Sequence, residues 1–150
     1  MSLCHQFLTY SLPLTALLCG CSDDGFGTLY PVHGAVVMDN EPIRISTGYV
    51  ILMPDTKKGN NTEFKPSGTI GADGNYVVYT MTRSGAPPGW YKVIVTGSGP
   101  SVRPTSGESK TRPVSTQIVP EQFGQETTTS LSIEVVARPN AHAYDLNVTN

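Results

Sequence analysis

The sequence predicts an all-β protein, a single antiparallel β-sandwich of about seven strands. Three observations lead there. Short runs rich in Val, Ile, Tyr and Thr recur along the chain, and these residues suit a pleated, half-buried surface. Between the runs lie clusters of Gly and Pro, of which there are 15 and 12, and such clusters mark turns. Within the runs apolar and polar residues alternate with a period of two, and no long amphipathic helical pattern follows the first twenty residues.

From residue 30 the elements follow in order. Val32, Gly34, Val36 and Met38 alternate with His33, Ala35 and Val37 as a first strand. Asp39-Asn40-Glu41-Pro42 is a turn, because Asp and Asn bond their own backbone and Pro fixes φ. Ile43 to Thr47 bridges to Tyr49-Val50-Ile51-Leu52-Met53, apolar at every position and hence a central strand. Asp55 to Lys65 is polar, with a loop tip at Lys57-Lys58-Gly59-Asn60-Asn61. A short strand, Ser67 to Ile70, leads to a turn at Asp73-Gly74, a pair that supplies positive φ.

Asn75 to Thr82 puts Tyr76, Val78 and Thr80 on one face, with Val77, Tyr79 and Met81 on the other. Pro87-Pro88-Gly89 cannot continue a ladder. In Trp90 to Thr96 the set Tyr91, Val93 and Val95 faces the core. Trp90, Lys92, Ile94 and Thr96 are half exposed. The stretch 97–129 is a long loop rich in Ser, Thr, Pro and Gly, functional or mobile at that length. Within it Ile118 to Gly124 is apolar enough to dock on the sandwich with one helical turn. Ser130 to Ala137 and His142 to Thr149 are the last strands, the latter with Tyr144, Leu146 and Val148 on one face.

The first twenty residues belong to a different problem. Phe7 to Leu18 is an apolar run too short to span a bilayer, and it ends in Leu18-Cys19-Gly20-Cys21 before a polar Ser22-Asp23-Asp24-Gly25. This ending resembles the bacterial lipoprotein box, which implies a signal peptide over 1–20, lipidation of Cys21 and a flexible tether over 21–29. A thiolate is nucleophilic enough to take a diacylglycerol. Acyl chains hold firmly, at about 0.8 kcal/mol per buried methylene. Residues 1 to 6 carry His5 but no Lys or Arg, unlike the usual start of such signals. All three cysteines, Cys4, Cys19 and Cys21, lie in this region, so no disulfide framework or cysteine zinc site is built into the body of the chain.

A net charge of −2 with 15 % charged residues excludes a basic nucleic-acid footprint. Among reactive residue types, His33 and His142 on two strands, with Asp145 as a third ligand, form one metal constellation to weigh; the other is a loop-end calcium site at the turn carboxylates Asp39, Asp55 and Asp73, which needs six or more converging oxygens. No metalloprotease spacing accompanies them, and the expectation is surface histidines and no metal. Ser98 in Gly97-Ser98-Gly99 is not a nucleophile elbow, so no catalytic residue is assigned. Asp39, Asp55 and Asp73 sit at turns, where carboxylates cap their own backbone. The binding candidates are Trp90 and Tyr79, placed on neighbouring strands as an exposed aromatic patch for a sugar ring or a protein. The competing expectation is that Trp90 lies beneath the long loop and Phe123.

The order of features is similar to the carboxypeptidase-regulatory-like, or transthyretin-like, β-sandwich domain of small bacterial lipoproteins. Val32-His33-Gly34-Ala35-Val36 resembles its opening Val-x-Gly-x-Val strand. Asp39-Asn40-Glu41-Pro42-Ile43 resembles its first turn, with Asn40 where Gly is usual. Gly68 to Tyr76 resembles its second turn, with Ile70-Gly71 where Thr-Asp is usual. Pro88-Gly89-Trp90-Tyr91-Lys92-Val93, Val119-Pro120-Glu121-Gln122-Phe123 and Leu131 to Val135 resemble later segments.

The resemblance implies an immunoglobulin-like, transthyretin-type sandwich over 30–150 without catalysis or cofactor. Three functions are then to be weighed. The first is a non-enzymatic, lipid-anchored cell-envelope module, structural or binding a protein or glycan, in the periplasm or at the cell surface. The second is an extracellular metal-dependent or hydrolytic accessory enzyme, which a deep pocket joining His33, His142 and Asp145 would favour. The third is a transthyretin-like small-ligand carrier, which needs a symmetric oligomer with an open channel.

Overall fold

The computed structural model describes residues 25–99 and 116–149. The expected signal peptide over 1–20, all three cysteines including Cys21, the first part of the expected tether and residues 100–115 lie outside the described residues. What is described is all-β, in two sheets. The first sheet holds β1 (His33–Met38), β2 (Glu41–Pro42), β5 (Asn75–Val77) and β10 (Leu146–Asn147). The second runs β7-β6-β4-β3-β8-β9, comprising β3 (Thr47–Pro54), β4 (Ser67–Thr69), β6 (Tyr79–Thr80), β7 (Arg83–Ser84), β8 (Gly89–Ser98) and β9 (Ser132–Val135). Ten strands thus stand where about seven are expected. The excess comes from two-residue pairings, and from Asn75 to Thr82, which divides into β5 and β6.

That division makes the corner of the fold. Val78 is fully buried; its N–H donates to Val32 O of the first sheet, and its carbonyl accepts from Gly85 N in the turn after β7. The chain therefore leaves one sheet and enters the other without breaking its alternation, as strands at sandwich corners do. A Cβ on Gly68 of β4 would stand 2.1 Å from Val77 O, so only glycine lets β4 pass beneath this corner.

The two sheets share one core. Val36, Tyr76, Val78, Leu146 and Val148 come from the first sheet and its flanks. Val50, Leu52, Tyr91, Val93, Val95, Ile133 and Val135 come from the second. Tyr91 has no exposed surface, and its hydroxyl donates to Pro87 O at 2.9 Å. Burial pushes its phenol pKa up. The alternation expected for Asn75 to Thr82 and for Trp90 to Thr96 is the alternation found. The segment after the long loop also docks: Val119 and Phe123 are buried, with a 3-10 turn at Glu121–Gly124.

Three expectations are corrected. Trp90 to Thr96 does not pair with the strand before it. β8 lies between β3 and β9, because residues 81–88 turn away and Ala86 pairs with Tyr30. β10 runs parallel to β1, the one parallel pairing among the described strands. Only Leu146–Asn147 of the last run is strand. His142 sits in a turn at φ 61, a left-handed conformation in which Asp145 N bonds His142 O. β3 is the central strand expected, paired with β4 and β8, and its outward Tyr49 is 47 % exposed.

The first hairpin shows local chemistry deciding structure. Asp39 and Asn40 both have positive φ, 54 and 67, as a two-residue type I′ turn requires. Asn at the second position reaches this region more readily than most residues.

Candidate functional site

Two regions gather the chemistry. The first is the outer face of the second sheet. Residues directly opposite on paired strands share a face, so the register writes out its rows. One row is Tyr79–Ser67–Ile51–Ile94, crossing β6, β4, β3 and β8. The next is Thr69–Tyr49–Thr96. Beyond Ile51 come Met53–Lys92–Ser132, and then Trp90–Glu134. Tyr49, Tyr79 and the hairpin-tip Met81 are 47 %, 46 % and 75 % exposed, while Ile51, Met53 and Ile94 are half-buried beside them.

Trp90 and Tyr79 do share this face, but they are not on neighbouring strands; β4 and β3 lie between them. Trp90 is half-buried, and the Lys58 ammonium stands 3.8 Å from its ring centre while donating to Ser132 Oγ at 3.2 Å. A cation over an aromatic face is worth about 0.5–1 kcal/mol at an exposed site. One face of the indole is thus occupied by the protein's own lysine. Phe123 does not roof Trp90; it is itself 3 % exposed and enters the core. The residues that dominate the face, Tyr49, Ile51 and Ile94, escape sequence reasoning as site residues. For Tyr49 and Ile51 the signal was present in the run 49–53, which is apolar on both faces; for Ile94 it lay in the half-exposed set of Trp90 to Thr96.

The second region is an open groove of about 720 Å3 between the start of β1, β5 and residues 139–145. His33, His142 and Asp145 all line it. Asp145 Oδ2 holds His142 Nδ1 at 2.7 Å, and Oδ1 accepts Ala35 N at 2.9 Å, continuing the β10 edge by a side chain. Gly34 is needed at this edge, where a Cβ would lie 2.4 Å from Tyr144 O. Tyr76 donates its hydroxyl to Tyr144 O, and burial first, then the Asp145 charge, raise its pKa far above the usual phenol value.

What this groove can do chemically is limited by what is already engaged. Both Asp145 oxygens have partners, the Tyr76 hydroxyl has one, and the His142 side chain is 82 % exposed to water. Among the described residues no Ser, Thr, Cys or Lys lines it. Among the described residues no three His, Cys, Asp or Glu are arranged to hold a metal ion.

The remaining candidates are placed as turn and strand residues. Asp55 Oδ1 accepts Lys57 N at 3.1 Å, capping the 3-10 turn Thr56–Lys58. Asp73 accepts from Asn75 N and Asn75 Nδ2, and these bonds, the side-chain one first, hold its carboxyl below the usual value. Asp39 N donates to Thr149 Oγ1 at 3.0 Å. Ser98 ends β8 and bridges to Gln117. Among the described residues no helix is long and apolar enough to cross a membrane.

The geometry defines an all-β protein of two sheets around one core, with an exposed apolar face and a shallow histidine groove. Comparison with protein-family models, curated proteins and solved structures finds no match.

Proposed function

We propose that this chain is an exported, lipid-anchored, non-enzymatic cell-envelope module, an immunoglobulin-like sandwich of transthyretin type that binds through the outer face of its second sheet. The observation that carries the binding role is the pair of rows Tyr79–Ser67–Ile51–Ile94 and Thr69–Tyr49–Thr96. They form an uncharged patch in which two tyrosines and two isoleucines stand among Ser67, Thr69 and Thr96, with Tyr49 and Tyr79 nearly half exposed. Contiguous apolar surface of this kind marks interaction sites. The anchor rests on Leu18-Cys19-Gly20-Cys21, with the membrane as the first partner and an envelope protein or glycan as the second.

Replacing Cys21 by Ser is expected to move the protein from the membrane fraction to the soluble one; continued sedimentation with membranes overturns the anchor. A photo-crosslinking residue in place of Tyr49, activated in the intact envelope, is expected to form adducts. The same residue in place of Asn40, at the first hairpin, is expected to form none. Equal labelling from both positions overturns the binding face.

The groove favours a second reading, an accessory enzyme or metal-dependent protein, because it does bring His33, His142 and Asp145 together. The engaged carboxylate, the solvent-exposed imidazole and the lack of a nucleophile in its lining argue for the first reading.

A further inference from the structure

We infer that the sandwich meets its membrane end-on: the end of the second sheet that carries the loop 55–66 rests on a layer of anionic lipid headgroups. This rests on the lipid anchor proposed above and adds which part of the body the anchor brings to the bilayer. The point where the chain joins the body is the first reason. Phe26 is half-buried against Phe64, with ring centres 5.2 Å apart, and the Arg83 guanidinium stands 5.9 Å from the Phe26 ring. Tyr30 and Ala86 then exchange both of their backbone bonds. The chain is held to the body from Phe26 onward, and only Ser22 to Gly25 lie between Phe26 and Cys21. Five residue steps, from 21 to 26, span at most about 18 Å. Strand β3 alone, with eight residues, runs about 24 Å. With a span shorter than the body, the Phe26 end is the part that stays closest to the bilayer.

Charge is the second reason. β3 ends at Pro54 and β4 begins at Ser67, so the loop between them lies at this end, and the β6–β7 hairpin turns back there as well. Lys57, Lys58 and Lys65 lie in the loop and Arg83 follows the hairpin tip, against Glu63 in the loop and Glu134 opposite Trp90. Asp55 is 8 % exposed and caps the 3-10 turn, and Lys92, one row in, lies beside Glu126. The other end of the body reverses the sign. Ile70 N bonds Gly48 O at the start of β3, and the turn that follows brings Gly74 against Pro42 and Ile43. Asp39, Glu41 and Asp73 gather there, with Arg44 beside them. Lys and Arg clustered beside a membrane anchor are held by anionic headgroups. That attraction fades over about 8 Å at physiological ionic strength, so it acts on an end that a short tether keeps close.

Side-chain type is the third. Met81 at the hairpin tip is 75 % exposed, and Phe26, Phe64 and Trp90 at the same end are half-buried. Apolar side chains flanked by lysines, whose stems lie along apolar surface while their ammonium groups stay in water, suit the boundary between headgroups and acyl chains. Standing on this end, the second sheet rises from the membrane and leaves its outer face open to an envelope partner.

The experiment uses the full-length protein, as matured in its own cells, reconstituted into vesicles of phosphatidylcholine and phosphatidylglycerol that carry a nitroxide quencher on the headgroup. The chain's natural cysteines all lie at positions 4, 19 and 21, removed or acylated once the anchor is made, so one introduced cysteine carries the fluorophore alone. Thr82→Cys, at the hairpin tip, is expected to be quenched several-fold more than Ala72→Cys, beside Asp73. The contrast is expected to shrink when phosphatidylglycerol is left out, and to shrink likewise when Lys57→Glu and Lys65→Glu are added. The lipid change needs no variant and decides the matter if the acidic chain does not fold by circular dichroism. Equal quenching at the two positions, or a contrast that survives the loss of phosphatidylglycerol or the folded acidic variant, overturns the inference; if the protein still floats with the vesicles, the anchor stands. Protein that does not float with the vesicles overturns the anchor and the inference together.

Discussion

Strands β3 and β8 each present two faces, and the two faces have opposite fates. Inward, Val50, Leu52, Tyr91, Val93 and Val95 are wholly buried. Outward, Tyr49, Ile51, Met53, Trp90 and Ile94 are scarcely less apolar, yet Tyr49 remains nearly half exposed. The inner face alone closes the core. A sheet needs only one apolar side to fold against its neighbour, so the apolar character of the outer side is surplus to folding. The proposed binding role of the outer face rests on that difference, and it is open to direct attack by substitutions at paired positions.

The largest effect is expected on the inner side. Tyr91→Ala removes a side chain with no exposed surface and leaves Pro87 O without its donor. The expected loss is about 3–5 kcal/mol, the range for aromatic-to-alanine changes in cores, read from urea melts. A loss below about 1 kcal/mol places the ring outside the core and removes the distinction between the faces.

The core tyrosines also sharpen the comparison through pH. Tyr76 and Tyr91 both have raised pKa values in the folded state, chiefly from burial. A raised folded pKa favours the protonated form in the fold. The contribution is complete below the unfolded tyrosine value near about 10, and stability falls as pH rises beyond it. Melts between neutral pH and pH 11 are expected to show stability flat at first and then declining. Tyr76→Phe costs about 1–3 kcal/mol at neutral pH by orphaning Tyr144 O and makes the alkaline decline shallower; the part from Tyr91 remains. An unchanged alkaline slope in Tyr76→Phe means that its hydroxyl is not sequestered.

How much of this was legible in the sequence follows from the range of the forces involved. The inward sets Tyr76/Val78/Thr80 and Tyr91/Val93/Val95 were readable because a strand's side chains alternate whatever its partner. The Asp39-Asn40 turn was readable because its φ values belong to those residues. The docking of Val119 and Phe123 was readable from a short apolar island in a polar loop. Strand partners were not. Nothing local says that β8 lies between β3 and β9, that Val78 changes sheets, or that β10 runs parallel to β1. Those outcomes depend on which long-range pairing buries most surface.

The site was legible in pieces. His33, His142 and Asp145 were picked out, but not that Asp145 holds the Ala35 N–H in place of a strand. Trp90 and Tyr79 were placed on the right face, but not the two strands between them. The run 49–53 was readable as a central strand, but not which of its faces enters the core, because a strand apolar at every position shows no alternation.

The smallest expected effect is therefore the most pointed. Tyr49→Ser exchanges an exposed ring for a small hydroxyl without touching the core, since the Val50 and Leu52 side chains point the other way. Its unfolding free energy is expected within about 0.5 kcal/mol of the parent, as for ordinary surface changes. A large loss for Tyr49→Ser, read from urea melts, makes the outer face part of the fold after all.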